Sequence, residues 1–313
     1  MPKAGACCNA TERSLWLNGG SANWADFTCL CMQKSGITTT VCQLSPGRLV
    51  GSSLQINLRQ NGIEPMSGNV AIIGGTGFES LPPEIFAEEV IVDTQYGIAR
   101  ALSISNNYVE PAKLYFVSRH GASHGLAPHQ INYRANTDLL LALGVKYVFA
   151  TNAVGSLTLE HHPGKLVLFD DFIDMTRSRD RTYFSDSNWK HIDFTTPYSP
   201  ILRSAVLQAA TESMVEVAPR GTYLCVDGPR FETPAEVRLF GAWGADVVGM
   251  TGIPEVVMAK EVGIEYAALG IVTNPGAGLT TEVVSHDQVT DVMASSITIV
   301  RELLLRACGH LVL

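Results

Sequence analysis

The chain has 313 residues, of which 46% are hydrophobic and 17% are charged. This balance excludes disorder throughout the chain, because disordered chains combine low hydrophobicity with a high net charge. The formal net charge of −8 disfavours a nucleic acid or an anionic membrane surface as the main partner, since both attract basic proteins. No apolar run approaches the roughly 18 residues that a membrane-spanning helix needs. A secretory signal consists of a basic stretch followed by an apolar run, and this pattern is not found here. We therefore expect a cytoplasmic location.

The first 66 residues differ in character from the remainder. They are rich in Gly, Ser, Thr and Asn, and they show no sustained hydrophobic period of two or 3.6 residues. At Met66-Ser67-Gly68 the sequence resembles a natural protein start, directly before an apolar strand. We interpret residues 1–66 as a poorly ordered leader or an upstream extension, in preference to an added functional module. Residues 67–313 then form the functional domain.

Most of the cysteines lie in this leader, namely Cys7, Cys8, Cys29, Cys31 and Cys42. A disulfide framework is not expected without a secretory signal. A single residue separates Cys29 from Cys31, whereas the cysteine pairs of zinc sites have wider spacings. We therefore expect no structural metal.

From Val70 onward, short apolar runs alternate with helical patterns. A strand begins at Val70, and further strands are predicted at Lys113–Ser118, Lys146–Thr151, Lys165–Phe169, Gly221–Val226, Asp246–Gly249 and Glu265–Thr273. Capping signals predict helices over Asn132–Leu143, after Thr233, and from Ser285 to about Cys308. Apolar strands between helices predict a single α/β domain with a central, largely parallel sheet that helices flank on both faces. Ligands in such folds bind beyond the carboxyl ends of the strands.

A glycine turn follows the first of these strands. Gly74-Gly75-Thr76-Gly77 lets backbone N–H groups approach an anion, and the Thr76 hydroxyl adds a donor. A dinucleotide-binding turn is an alternative, because Asp93 lies near the position expected for its acidic residue. Ser80 at the third glycine position and Pro82-Pro83 in the following helix disfavour that alternative. A tight turn without a ligand also remains open.

Polar residues follow three other strands. They are Arg119-His120, Thr151-Asn152-Ala153 and Met250-Thr251. Arginine matches the geometry of an oxyanion with two hydrogen bonds, although an Arg-His pair is also common in surface ion pairs. Because these loops lie at one edge of the predicted sheet, they are interpreted together as a phosphate-binding cradle without a metal.

Two segments suggest recognition of a polar ring. Asn274 ends the last long strand, and its amide both donates and accepts hydrogen bonds. The alternative is turn chemistry, since Asn-Pro-Gly favours a turn by itself. Phe231 and Glu232 lie between a strand and a capped helix, which suits an aromatic side chain stacked on a ligand beside a carboxylate. A connection whose Phe231 fills the core is equally compatible with the pattern.

These motifs in this order resemble the trimeric purine nucleoside phosphorylase and methylthioadenosine phosphorylase family. The similarity extends from about Asn69 to the C-terminus and includes Ile72-Ile73-Gly74-Gly75-Thr76-Gly77, Arg119-His120-Gly121, Asn132-Tyr133-Arg134-Ala135-Asn136, Gly228-Pro229-Arg230-Phe231-Glu232-Thr233 and Gly249-Met250-Thr251. Within the family, His191-Ile192-Asp193-Phe194 and Asn274-Pro275-Gly276-Ala277-Gly278 are most similar to bacterial S-methyl-5'-thioinosine phosphorylase. The resemblance implies a phosphorylase/hydrolase-like fold with a mixed sheet.

The resemblance also implies an activity: phosphate replaces a purine at the anomeric carbon of a nucleoside, with no metal or cofactor. It assigns phosphate binding to Thr76, Arg119, His120, Asn152, Ala153 and Thr251. It assigns substrate binding to Phe231, Glu232, Met250, Asn274, Gly276, His191 and His286, with Asn274 and His120 as the catalytic residues. His191 would reach the sugar pocket of a neighbouring subunit, which implies a homotrimer.

Two residues predict the base. Adenine-specific members have an aspartate in place of Asn274 and usually a small residue in place of Glu232. Glu232 can accept from N1–H of a 6-oxopurine, and the Asn274 amide can donate to O6 or N7. Adenine would instead place its bare N1 against the Glu232 carboxylate, and an unpaired buried polar group costs about 1–3 kcal/mol. We therefore expect hypoxanthine- or guanine-type bases.

The sugar is less well defined by the sequence. His286 stands where methylthio-specific members usually have Val or Met, and 5'-hydroxyl enzymes tend to place a histidine in this region. We place S-methyl-5'-thioinosine ahead of inosine and guanosine, because a histidine also packs in its neutral form against a thioether. Methylthioadenosine phosphorolysis, a hydrolase on a related fold and a non-catalytic nucleotide-binding protein are the remaining alternatives.

Overall fold

A computed structural model of the chain describes residues 28–34, 37–43, 68–78, 85, 87–105, 108–110, 112–121, 125–184, 189–281 and 284–311. The chain divides into two units, Met1–Asn61 and Gly62–Leu313. In the first unit, strands β1 (Thr28–Lys34) and β2 (Ile37–Gln43) form an antiparallel pair. The sequence pattern does not predict this pair. The remaining residues of 1–66 lie outside the described part, and their interpretation as a leader or extension stays a prediction.

The second unit is built around a mixed sheet of eleven strands in the described residues. The strands are β3 (Asn69–Gly74), β4 (Ala87–Thr94), β5 (Gly97–Ile104), β6 (Leu114–Ser118), β7 (Val145–Ser156), β8 (Leu166–Leu168), β9 (Asp171–Asp174), β10 (Val217–Ala218), β11 (Thr222–Cys225), β12 (Val247–Gly249) and β13 (Glu265–Pro275). β3 pairs in parallel with both β6 and β7, and β13 pairs in parallel with the other edge of β7. The carboxyl ends of these four strands therefore meet at one edge of the sheet.

Helices begin where the capping residues predict. α1 (Tyr133–Ala142) is capped by Asn132, and α3 (Pro234–Ala242) and α5 (His286–Gly309) begin at capping boxes formed by Thr233 and Ser285. α2 (Pro200–Ser213) and α4 (Glu255–Glu261) complete the α-helices among the described residues, and a 3₁₀ turn spans Pro128–Gln130. Proline at the first position of α2 and α3 fits a helix start, because its missing N–H would have no intrahelical partner.

The helices cover both faces of the sheet, as the sequence predicts. Val70 and Ile72 of β3 pack in one core with α2 and α5, whereas Ala71 and Ile73 pack in a second core with α1 and α4. This alternation follows from the period of two in a strand. Because both faces are buried, the central strands are apolar throughout, and polar groups concentrate at the strand ends.

The predicted α/β class is confirmed, together with every strand and helix named from the sequence. β7 and β13 are longer than predicted, since each continues past its apolar run into small and polar residues that line the site. The sequence analysis did not predict β4, β5, β9, β10, α2 or α4. β4 alternates half-buried and exposed positions and carries acidic residues, which masks its strand pattern. None of the helices in the described residues is both long and apolar enough to span a membrane.

Candidate active site

A cavity of about 390 Å³ lies at the carboxyl ends of the parallel strands, within the size range of small-molecule sites. Eight of the residues predicted from the sequence border it: Thr76, His120, Ala153, Phe231, Glu232, Met250, Thr251 and Asn274. The rest of the wall includes the glycines and apolar residues Gly75, Gly125, Leu126, Ala127, Pro128, Val154, Gly155, Pro229, Val248, Gly249 and Val289, as well as Thr273. The structure thus brings together residues that are up to almost two hundred positions apart in the chain.

The glycine turn after β3 is held against β7. The backbone N–H of Gly75 donates to Thr151 Oγ1 at 3.3 Å. A Cβ atom on Gly75 would lie 2.8 Å from Arg119 Nη1, so only glycine fits without displacement. The turn therefore lies directly on the guanidinium, with the Thr76 side of the turn facing the cavity.

Arg119 does not border the cavity but forms a buried ion pair behind it. Its Nε and Nη2 atoms donate to the two carboxylate oxygens of Glu255, each at 2.7 Å, and Nη1 donates to the Thr151 carbonyl at 2.7 Å. Tyr266 donates its hydroxyl hydrogen to Glu255 at 2.6 Å. Burial lowers the pKa of Arg119, but the charge and hydrogen bonds of Glu255 outweigh burial and raise it above the ordinary value. These bonds use three of the five guanidinium hydrogens, and the side chain has no exposed surface.

Asn152 also lies behind the wall, and it links β7 to the loop after β12. Its Nδ2 donates to Thr251 Oγ1 at 3.0 Å, which leaves the Thr251 hydroxyl hydrogen available to a ligand. The Tyr223 hydroxyl accepts from the backbone N–H groups of Thr251 and Gly252, both at 3.2 Å. These contacts fix the Thr251 side chain between two strands. Asn152 therefore acts on the site through Thr251.

His120 lies in the cavity wall with a defined tautomer. Its Nδ1 is 2.8 Å from the carbonyl oxygen of Leu126. A carbonyl only accepts hydrogen bonds, so Nδ1 carries the hydrogen and Nε2 of the neutral ring is an acceptor. On protonation Nε2 becomes a donor, which suits an anionic oxygen.

The Asn274 amide is oriented by its neighbours. Its Oδ1 accepts from the Thr273 hydroxyl at 2.9 Å, and one hydrogen of Nδ2 goes to the Pro275 carbonyl at 3.0 Å. A Cβ atom on Gly155 would lie 3.2 Å from Nδ2, so a glycine at 155 allows the amide its place. The second Nδ2 hydrogen remains for a ligand, and Asn274 therefore presents a donor to the cavity.

Glu232 and Phe231 lie at the same end of the cavity. Burial raises the pKa of Glu232 above its ordinary value. The charge of Glu236 also raises this pKa, whereas the charge of Arg230, whose guanidinium pairs with both oxygens of Glu236 at 2.7 and 2.8 Å, lowers it by less than burial raises it. Phe231 keeps 36% of its surface exposed, so its ring borders the cavity and does not fill the core.

Besides Arg119 and Asn152, three more of the predicted residues lie outside the described cavity wall. Gly276 packs against β7, where a Cβ atom would lie 2.7 Å from the Ser156 carbonyl oxygen, and its assignment to substrate binding stays a prediction. His191 is exposed and contacts the Trp189 ring at 5.1 Å between centroids. His286 begins α5, but its side chain lies outside the described part of the chain, and its predicted role stays a prediction.

Sequence reasoning missed the residues that support the site from behind. Glu255 pairs with Arg119, Tyr223 accepts from the Thr251 backbone N–H, and Tyr266 donates to Glu255, and all three are buried. These contacts join parts of the chain that are distant in sequence. The one available signal was Glu255 itself, since a carboxylate directly before the apolar run 256–259 is costly to bury without a cationic partner. Leu126 and Val289 were also missed, because a single apolar residue in a loop or a helix carries no pattern.

Comparison with known proteins agrees with this geometry. The family model described as "Phosphorylase superfamily" matches residues 69–308. The chain belongs to the phosphorylase superfamily. A probable 6-oxopurine nucleoside phosphorylase of Dictyoglomus turgidum is 44% identical over 236 residues, which cover 75% of this chain and 88% of the relative. The 6-oxopurine nucleoside phosphorylase of Pyrococcus furiosus is 41% identical over 245 residues, covering 76% and 91%.

Other members of the phosphorylase superfamily carry a different substrate name. A probable S-methyl-5'-thioinosine phosphorylase of Methanopyrus kandleri is 43% identical over 225 residues, which cover 72% of this chain and 85% of the relative. Among solved structures, methylthioadenosine phosphorylase from Schistosoma mansoni in complex with adenine has a TM-score of 0.72 and 31% identity. That alignment covers 78% of this chain and 91% of the solved chain.

Replacing Glu255 by alanine is predicted to lower the free energy of unfolding by about 3–5 kcal/mol, because Arg119 would keep a buried charge without a partner. The double variant Arg119→Met with Glu255→Met should lose much less, since it removes both charges. Glu89→Ala is the matched control: its partner Arg100 is half exposed, and such a pair contributes less than about 1 kcal/mol. Urea denaturation measures all three. A Glu255→Ala cost as small as that of Glu89→Ala would contradict the role of the pair.

Proposed function

We propose that the protein is a purine salvage enzyme that cleaves 6-oxopurine nucleosides with phosphate. Its main substrate is S-methyl-5'-thioinosine, and its products are hypoxanthine and 5-methylthioribose 1-phosphate. The observation that carries the proposal is the composition of one cavity wall. Glu232 and Asn274 offer an acceptor and a donor there, and Thr76, His120 and Thr251 offer anion-binding groups.

The chemistry requires two sites of charge stabilisation. A phosphate oxygen forms a bond to the anomeric carbon while the glycosidic bond breaks, and the purine leaves with that bond's electron pair. The sugar is cationic in the transition state, and the bound phosphate stabilises it. A donor at N7 stabilises the departing anionic purine, and the second Asn274 hydrogen fits this role. A donor of this kind contributes about 3–4 kcal/mol to lowering the barrier.

The base preference follows from the same two side chains. Glu232 in its ionised form accepts from N1–H of a 6-oxopurine, while Asn274 donates to O6 or N7. Its Oδ1 already accepts from Thr273, so the amide cannot rotate to offer an acceptor without losing that bond. This arrangement supports hypoxanthine and guanine over adenine, in agreement with the names of the 6-oxopurine relatives.

The remaining cavity wall supports a methylthio group at the 5' position. Once Glu232 and Asn274 are assigned to the base and Thr76 and Thr251 to phosphate, the wall that is left is mostly apolar. It includes Leu126, Ala127, Pro128 and Val289. A thioether gains from burial against such residues, whereas a 5'-hydroxyl would need a polar partner. Inosine or guanosine is the second candidate, and the names of the most similar relatives support it equally.

No metal or cofactor takes part in the proposed reaction, and phosphate is the co-substrate. We also propose a homotrimer, in which exposed His191 completes the sugar pocket of a neighbouring subunit. A sedimentation experiment that found a fully active monomer would contradict the trimer. A protein that is not a trimer would still be compatible with the phosphate-dependent reaction, because the described cavity wall comes from one chain.

The direct test is base release from inosine, guanosine, methylthioinosine and methylthioadenosine with and without phosphate. We expect release to require phosphate, to survive a chelator and to be fastest with methylthioinosine. Buffers of equal ionic strength without phosphate serve as the control. Full turnover in that control would identify a hydrolase and overturn the proposal.

Asn274→Asp should shift the preference toward adenine. An ionised aspartate offers only acceptors, so O6 of a 6-oxopurine loses its donor, and the amino group of adenine gains a partner. A lost pairing of about 1–3 kcal/mol corresponds to roughly a 5- to 150-fold change in the ratio of kcat/KM values for methylthioinosine and methylthioadenosine. Asn132→Asp makes the same chemical change at the cap of α1 and should leave the ratio unchanged. An unchanged ratio in Asn274→Asp would refute its role in base recognition.

The base preference should also depend on pH through Glu232. Its raised pKa means that the neutral form is present at low pH and is lost as pH rises through that value. Neutral Glu232 donates to N1 of adenine, so the relative kcat/KM for methylthioadenosine should increase as pH falls. Glu232→Gln, which always donates and accepts, should make this ratio independent of pH. The same slope in Glu232→Gln as in the wild type would assign the titration to another group.

A further inference from the structure

Arg179 is an almost completely buried cation that does not border the cavity. Its side chain is 2% exposed, and it lies in the segment that follows β9. The guanidinium donates to three backbone carbonyls: Nη1 to Ile253 at 2.6 Å, and Nη2 to Asp227 at 3.0 Å and Val226 at 3.3 Å. Burying a charge is costly unless it is paired and hydrogen-bonded, so these acceptors define where the guanidinium lies.

The three carbonyls belong to two different loops of the site. Val226 and Asp227 directly precede the segment 228–232, which we call the base loop because it carries Phe231 and Glu232. Ile253 directly follows the segment 249–252, which we call the sugar loop because it carries Met250, the predicted contact to the sugar, beside Thr251, the predicted contact to phosphate. One side chain therefore bonds to the start of the first loop and the end of the second.

The two loops are also in direct contact on the cavity side. A Cβ atom on Gly228 would lie 2.4 Å from Met250 Sδ, so the backbone of the base loop packs on the sugar loop. Because the loops touch there, a small change in their separation moves Met250 relative to Phe231. The position of the shared guanidinium behind them then determines the distance between the two groups.

Further contacts with Asp227 and Tyr133 fix the position of Arg179 and its segment. The Asp227 carboxylate accepts from the backbone N–H of Arg177 at 3.1 Å and of Ser178 at 3.4 Å, so the bonds between this segment and the base loop run in both directions. The Tyr133 ring lies under the guanidinium at 5.6 Å, and its hydroxyl accepts from Nη1 at 3.3 Å. The planar guanidinium is fixed and cannot be replaced by the flexible point charge of lysine.

We propose that Arg179 is a positioning residue that sets the spacing between the base loop and the sugar loop. It thereby determines whether the purine and the sugar are held at the same time in the geometry for bond cleavage. This inference rests on the proposed function, which gives the two loops their roles. A misplacement of about 1 Å by a change remote from the reacting atoms can lower a rate about 100-fold.

The test compares Arg179→Ala and Arg179→Lys with Arg203→Ala. Arg203 also donates to a backbone carbonyl, that of Pro219 at 2.6 Å, but it lies on α2 outside the cavity wall. We expect kcat/KM to fall about 100-fold in Arg179→Ala, with a higher KM for both nucleoside and phosphate. Arg179→Lys should recover little of the loss, and Arg203→Ala should retain wild-type kinetics. Millimolar guanidinium in the assay should restore activity to Arg179→Ala and should not increase the activity of the other two variants.

Titration calorimetry with hypoxanthine and with phosphate separates positioning from folding. A partly unfolded variant lowers the binding stoichiometry, whereas displaced loops raise the Kd at full stoichiometry. Wild-type Kd and KM values in folded Arg179→Ala would overturn the proposal. If that variant does not fold, Arg179→Lys and Arg179→Gln provide the same comparison. A wild type that binds both ligands without turnover would overturn the proposed function, and the Kd values would still test the positioning role.

Discussion

The buried ion pair between Arg119 and Glu255 is the interaction on which the rest of the cavity depends. It joins the end of β6 to the start of α4, and the same guanidinium supports the glycine turn after β3 and the Thr151 carbonyl of β7. Both charges can be buried because each has several hydrogen-bond partners, and one partner of Glu255 is the Tyr266 hydroxyl. The pair is neutral as a unit. Attraction of an anion to the cavity therefore depends mainly on hydroxyl and backbone donors.

A local change of strand direction brings the base and sugar loops to the same cavity. β12 runs antiparallel to β7 but parallel to β11. The loop after β12 consequently runs back along β7, where Thr251 meets Asn152. The loop after β11 starts beside it, and Arg179 bonds to both. If all strands of the sheet were parallel, the loops after β11 and β12 would not meet in this way. The site therefore requires the mixed topology.

The sequence predicted the apolar strands and the capped helices well, because period and capping are local properties. It also identified the polar residues at the strand ends, since every one of them follows an apolar run. The prediction was weaker where a residue acts through a distant partner. The sequence did not predict that Arg119 and Asn152 lie behind the cavity wall, next to Gly75 and Thr251, and their assignment to phosphate binding stays a prediction. Tyr223 and Arg179 carry no sequence signal of their own, because their partners come from other parts of the chain, and Glu255 carries only that of a carboxylate beside an apolar run.

One wall of the cavity belongs to an element that cannot move independently. Val289 lies in the first turns of α5, and Val300, Leu303 and Leu304 of the same helix form part of the core against the sheet. A shift of this wall would disturb packing along 24 residues of helix. Natural relatives that accept different sugars are therefore expected to have diverged here by exchanging single side chains on a fixed helix. The core and the substrate range can then evolve separately.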